Sequence, residues 1–112
     1  MNNTVFLITN NGIGKADEKL QQILVGKYFE LLVQNGSLPA AICFYTDGVK
    51  LVCDGSPVIE QLRGLENKGV RLIVCSTCLN YFDLSEKIQV GIVGGMGDIL
   101  EAQVKAEKVI TL

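Results

Sequence analysis

The sequence predicts a mostly parallel five-stranded sheet covered by helices, a single-domain three-layer α/β/α arrangement over residues 1–112. Three observations carry this. Five apolar runs of strand length recur along the chain, separated by segments of helical period, in the order β-α-β-α-β-α-β-α-β. The runs are near-continuous rather than alternating, the pattern of strands covered on both faces. A chain of 112 residues, 48% of them hydrophobic, can bury one sizeable core and is too short for two.

Thr4-Val5-Phe6-Leu7-Ile8-Thr9 is the first strand, and Asn10-Asn11-Gly12-Ile13-Gly14 breaks it with turn residues. That loop holds a Gly-x-Gly but neither GxGxxG nor GxxxxGK[ST], so an anion cradle competes there with a plain strand-to-helix turn. From Asp17 to Gln34, Leu20, Ile23, Leu24, Tyr28, Leu31 and Leu32 recur at helical spacing, and Val25, Phe29 and Val33 widen the stripe. A helix apolar on more than one face packs in a deep groove or meets another subunit, so a homo-oligomer is expected. Asn35-Gly36-Ser37-Leu38-Pro39 ends the helix.

Ala40 to Tyr45 forms the second strand, Thr46-Asp47-Gly48 its turn, and Val49 to Gly55 alternates loosely. Ser56 as N-cap and Pro57 at the first helical position predict a helix with Val58, Ile59, Leu62 and Leu65 on its apolar face, closed by Lys68-Gly69. Val70 to Val74 is the third strand, leading directly into Cys75-Ser76-Thr77-Cys78. Asn80 to Ile88 is expected to be helical in part, with Tyr81 and Phe82 packing together or covering the thiols. Val90 to Val93 is the fourth strand; Gly94 to Asp98 turns into a helix carrying Ile99, Leu100, Val104 and Ala106; Val109 to Leu112 is the fifth strand.

Composition removes several function classes. Ten basic residues against twelve acidic ones, a net charge of -2 with no long single-sign run, offer nothing for a nucleic acid or an anionic membrane surface. The start Met1-Asn2-Asn3-Thr4 lacks a basic leader, and no apolar run approaches the roughly 18 residues of a spanning helix. A soluble cytoplasmic protein is therefore expected. Four cysteines are not needed as staples in a domain with an ample core, so free thiols in a reducing compartment are expected. The chain has no histidine, which excludes Ser-His and Cys-His dyads and every histidine-based metal site. No cofactor and no metal are expected.

In an open α/β sheet, ligands bind outside the carboxyl ends of the strands, so the loops around Gly12, Asp47, Cys75 and Gly95 are expected to converge on one face. Cys75 and Cys78 leave the third strand there, separated by the small polar Ser76 and Thr77. The positive end of a helix dipole favours thiolate, and a thiolate is a strong nucleophile even without a base beside it. A structural zinc would need a second pair, which Cys43 and Cys53 do not supply at metal spacing. Cys43, flanked by apolar residues, reads as an inert core thiol. Thioredoxin-like exchange wants a proline after the pair, whereas Pro39 and Pro57 both precede it. Two plain buried thiols are the structural alternative.

Phe44-Tyr45-Thr46-Asp47-Gly48-Val49-Lys50-Leu51, Gly55-Ser56, Leu62 to Leu65, Lys68-Gly69-Val70, Cys75-Ser76-Thr77-Cys78-Leu79, Gly91, Met96 and Ala106 to Leu112 together resemble the YedF-type, selenium-metabolism-associated branch of the DsrE/DsrF-like proteins. The resemblance runs nearly the whole length. It implies a small flavodoxin-like or Rossmann-like domain, homo-oligomers, and a relay in which a cysteine after a central strand carries sulfur as a persulfide. Cys75 matches the sulfur-carrying position of the relay relatives, and Cys78 the second cysteine of the YedF-type pair. Substrate-lining positions would be Gly12, Asp47, Ser76, Thr77, Gly95 and Met96. The chain departs from the branch at Ser76, where Gly is usual, at Thr46-Asp47, where Asn-Ser is usual, and at Gly95, where Asn is usual. It is expected to lack the TusA-like N-terminal domain of many YedF-type proteins, so a separate TusA-like carrier or a cysteine desulfurase is the implied partner.

The expected function is a sulfurtransferase-like carrier of sulfur or selenium, working through a persulfide at Cys75 and Cys78. Two other classes compete: a non-catalytic ligand-binding or assembly module, and a dithiol redox switch closing a Cys75–Cys78 bond.

Overall fold

All five apolar runs become neighbouring strands. In the computed structural model, which describes residues 3–112, β1 (Thr4–Ile8), β2 (Ala41–Phe44), β3 (Arg71–Cys75), β4 (Ile92–Gly94) and β5 (Lys108–Thr111) form one all-parallel sheet. Its order is β4-β3-β2-β1-β5. Met1 and Asn2, on which the expectation of no leader partly rests, lie outside the described residues.

The register sets the two faces. Phe6, Ile42 and Leu72 align across β1, β2 and β3 and share one face; Val5, Ala41 and Arg71 share the other. Helix α1 (Glu18–Asn35) covers the first face, with Tyr28 edge-on to Phe6 at 5.9 Å, and touches α2 (Ile59–Asn67). Helix α4 (Met96–Lys105) covers the second: a Cβ on Gly94 would meet both Ile73 of β3 and Asp98 of α4. The chain thus lays β1 to β4 side by side, then crosses the opposite face to add β5 beside β1. Right-handed crossovers require that change of face when the direction of travel reverses. Phe29, Phe44, Leu62 and Leu65 are wholly buried between the layers, and each contributes about 1.5–3 kcal/mol.

Four details differ from the sequence reading. In α1 the buried stripe is Gln21, Val25, Phe29 and Leu32, while Leu20, Ile23, Leu24 and Leu31 are 41% to 53% exposed. A helix apolar on two faces does not reveal which one meets the sheet. Here Gln21 can face inward because its amide donates to the Gly14 carbonyl at 2.6 Å. Residues Thr46–Val52, expected as a turn and a loose alternation, form a 3-10 helix. Gly48 lets that helix press on β1: a Cβ there would lie 2.1 Å from the Ile8 carbonyl oxygen.

Helix α2 starts at Ile59 rather than Ser56-Pro57, although the Ser56 hydroxyl does accept the Val58 N–H at 3.2 Å. Finally, the helix expected within residues 80–88 lies earlier, as α3 (Ser76–Tyr81). Asp83 takes a left-handed φ of 58° and the Leu84 N–H turns back to the Leu79 carbonyl at 2.8 Å, which stops the helix. The segment beyond is irregular and anchored beside residues 52–54: Gln89 N–H donates to Val52 and Asp54 N–H to Lys87.

Candidate functional site

The end of β3 delivers the two thiols differently. Cys75 is its last residue, fully buried; Cys78, one turn into α3, is half-buried. Both are free thiols, three positions apart, and Cys75 lies near enough to influence the Cys78 thiol.

Opposite Cys78 stands the exit of β2. Thr46 there adopts φ 51°, rare for a β-branched residue and costing about 1–3 kcal/mol. Its hydroxyl is anchored 2.6 Å from the Thr9 carbonyl at the end of β1, and its backbone N–H donates to Cys78 Sγ at 3.0 Å. The left-handed turn aims that N–H at the sulfur. Burial pushes the Cys78 thiol above its ordinary range; the Thr46 N–H pulls it back, and the neighbouring Cys75 adds to the rise.

Above Cys78 lies an open cavity of about 290 Å³ lined by Thr46, Asp47, Thr77, Cys78, Tyr81 and Phe82. Tyr81 is 85% exposed at its rim and meets Phe82 edge-on. Lys50, from the 3-10 helix, pairs with Asp47 at 2.9 Å and sits 4.5 Å over the Phe82 ring, bracing that wall. The exposed ion pair itself adds at most about 1 kcal/mol.

Of the residues singled out in the sequence, Asp47, Thr77 and Cys78 line this cavity and Cys75 lies directly behind Cys78. Ser76 is half-buried between the thiols and is not on the cavity wall. Gly12 packs against α1, where a Cβ would come within 2.4 Å of Gln21. Gly95 precedes α4, donating its N–H to Asp98 Oδ2 at 2.8 Å, and Met96 is half-exposed on that helix. Two groups escaped the sequence reading. Lys50 was detectable as an i,i+3 partner of Asp47, whereas the Thr46 N–H had no local signal, since it reaches a residue 32 positions away. Cys43 and Cys53 are apart from the site. Burial raises the Cys43 thiol to about 11 despite Arg71, and raises Cys53, whose thiol donates to the Val49 carbonyl. Among the described residues no group of three or more His, Cys, Asp or Glu side chains is placed to hold a metal.

A family model described as "DsrE/DsrF-like family" matches residues 3–112. The chain belongs to the DsrE/DsrF-like family. The family is associated with sulfur relay in general. Three solved structures share the fold. One is the protein MTH1491 of unknown function from Methanobacterium thermoautotrophicum, with TM-score 0.72, 20% identity, and 97% of each chain covered. A second is the ychN protein from E. coli, with TM-score 0.70, 18% identity, and 100% of each chain covered. The third is the conserved protein BT1422 of unknown function from Bacteroides thetaiotaomicron, with TM-score 0.70, 16% identity, and coverage of 98% of this chain and 95% of that one. No curated protein matches the chain. Among the described residues no helix of this family member is long and apolar enough to cross a membrane.

Proposed function

We propose that this DsrE/DsrF-like protein is a sulfur carrier of the YedF type in which Cys78 receives the sulfur and Cys75 resolves it, the reverse of the order the resemblance implies. The observation that supports this order is accessibility: Cys78 opens on the cavity and receives the Thr46 N–H, while Cys75 is wholly buried behind it. A donor has to reach the thiol it loads.

In the loading step the Cys78 thiolate attacks the outer sulfur of a donor hydropersulfide, R–S–SH. The donor S–S bond breaks, R–S⁻ leaves and takes up a proton, and a Cys78 persulfide forms with no net oxidation. The Thr46 N–H stabilises the attacking sulfur anion. Unloading follows one of two balanced courses. An acceptor thiolate takes the outer sulfur and regenerates Cys78, or the Cys75 thiolate attacks the inner sulfur, forming a Cys75–Cys78 disulfide and expelling hydrosulfide. Selenium would travel by the same displacement. A TusA-like carrier or a cysteine desulfurase suits the donor role, in the cytoplasm, with the apolar outer stripe of α1 joining copies into a homo-oligomer.

Intact-mass spectrometry of reduced protein after exposure to a persulfide donor tests the reading. A gain of about 32 Da, one sulfur, is expected in Cys75→Ser; the wild type is expected to show that gain or, once Cys75 has resolved it, a loss of two hydrogens, and Cys78→Ser neither. Retention of the gain in Cys78→Ser with loss in Cys75→Ser overturns the assignment, and no gain in any form overturns the carrier role. The nearness of the two thiols also favours a second reading, a redox switch. Its mark is a loss of two hydrogens under oxidant, abolished by either substitution.

A further inference from the structure

Behind the Phe82 wall lies a second, larger cleft of about 320 Å³, between the β1–α1 loop, the end of the 3-10 helix and the irregular segment after α3. We propose that this cleft binds the zwitterionic head of a free α-amino acid. Phe82 and Lys50 also border the Cys78 cavity, but no thiol that the sulfur-carrier reading uses faces this cleft, so the inference does not depend on that reading.

The argument rests on what faces the cleft: Asn11, Gln22, Lys50, Asp54, Phe82 and Leu84. It holds one ammonium and one carboxylate. A simple anion meets Asp54, a simple cation meets Lys50, and each repels one of them; a ligand carrying both charges is matched at both ends. Both protein charges have bonding capacity to spare. The Lys50 ammonium has three donors, of which Asp47 takes one. One oxygen of Asp54 accepts from the Gln89 amide, and the other accepts no side-chain donor among the described residues. Asn11 and Gln22 add neutral amide donors and acceptors for the same head group. The Phe82 ring and Leu84 supply an apolar wall for a short aliphatic or thioether side chain. A volume of about 320 Å³ falls at the small end of small-molecule sites, which suits a single amino acid rather than a peptide or nucleotide.

The ligand's α-carboxylate is therefore assigned to Lys50 and its α-ammonium to Asp54. Isothermal titration calorimetry of the reduced full chain tests the assignment with glycine, L-alanine, L-leucine and L-methionine, and with the deaminated and decarboxylated analogues of the amino acid that binds tightest. At least one of the four is expected to bind, favouring the apolar side chains. Each analogue, having lost one charged hydrogen-bonding group, is expected to bind about tenfold more weakly. Lys50→Gln and Asp54→Asn should each cause a similar loss. Both replace partly exposed side chains, and if either variant fails to melt cooperatively, the analogue series on the wild type decides alone. Absence of binding by all four amino acids up to about 10 mM, a range weaker than useful recognition, overturns the proposal. So does an analogue that binds as well as its parent, or wild-type affinity in Lys50→Gln.

Discussion

Replacing Gly48 by alanine isolates the contact that holds the β2 exit against β1. The added Cβ would lie 2.1 Å from the Ile8 carbonyl oxygen, 2.8 Å from its carbon and 3.3 Å from the Thr9 nitrogen. All three are main-chain atoms, so no side chain can rotate away. Restoring van der Waals contact requires the 3-10 helix to retreat by about 1 Å. That retreat stretches two bonds tying the β2 exit to β1, Tyr45 N–H to Ile8 at 3.1 Å and the Thr46 hydroxyl to Thr9 at 2.6 Å. Overpacking of about 1–3 kcal/mol and about 1 kcal/mol for a weakened buried hydrogen bond give a loss of about 2–4 kcal/mol. For a domain of this size, that lowers Tm by about 8–16 °C. Thermal unfolding followed by circular dichroism reads it directly. Because the same segment carries the Thr46 N–H, the rate of Cys78 alkylation in the folded state should change as well. A Gly48→Ala protein melting within about 2 °C of wild type would refute the reasoning, since even the lowest sum exceeds that shift.

Further outcomes follow from other parts of the molecule. Gly64 sits inside α2 with open space where a Cβ would go, so Gly64→Ala should stabilise the protein by about 0.5–1 kcal/mol in denaturant melts. Raised above the ordinary thiol range by burial, Cys78 holds less thiolate at pH 7 than a free cysteine does. Its alkylation rate in the folded protein should therefore climb about tenfold per pH unit and continue rising beyond pH 9. Cys43 titrates near 9.0 when unfolded and near about 11 when folded, so the unfolded chain releases its proton first. Stability should therefore fall as pH rises through that window, by up to about 2–3 kcal/mol, and Cys43→Ala should flatten the slope even though it also removes core packing. Leu24 and Leu31 are 41% and 53% exposed on α1, so Leu24→Glu with Leu31→Glu should spare the monomer's fold. Sedimentation should show a homo-oligomer in the wild type and its dissociation in the variant.

The sheet was legible because every strand is built round an apolar run bounded by turn residues; β1, β2 and β3 are buried on both faces apart from Arg71, whereas the edge strands β4 and β5 are largely exposed and β5 carries Lys108 and Thr111. What escaped the sequence was set by contacts between distant segments. Val25 and Phe29 looked like a widening of the α1 stripe because their inward orientation depends on the satisfied amide of Gln21. The 3-10 helix was hidden because Thr46-Asp47-Gly48 reads locally as a turn, whereas burial of Val49, Leu51 and Val52 extends it. Helix α3 ends through a left-handed Asp83 in place of the usual glycine, a stop that local patterning undervalues. At the site the cysteine pair and Asp47 were readable from the chain, while the division of the thiols into one open and one buried follows only from where β3 ends and α3 begins.

The donor facing Cys78 belongs to the main chain. Any residue other than proline brings an N–H to position 46, and what aims it is the path of the turn, secured by glycine packing at position 48 and by the Thr46 hydroxyl on the Thr9 carbonyl. Threonine stands where the resembling branch carries asparagine, a residue that enters the left-handed region more readily. A side chain without a hydroxyl here would keep the N–H donor but give up the tie to Thr9, leaving the packing of Gly48 to hold the turn. The site is written in the course of the backbone, and comparing polar side chains alone would pass over it.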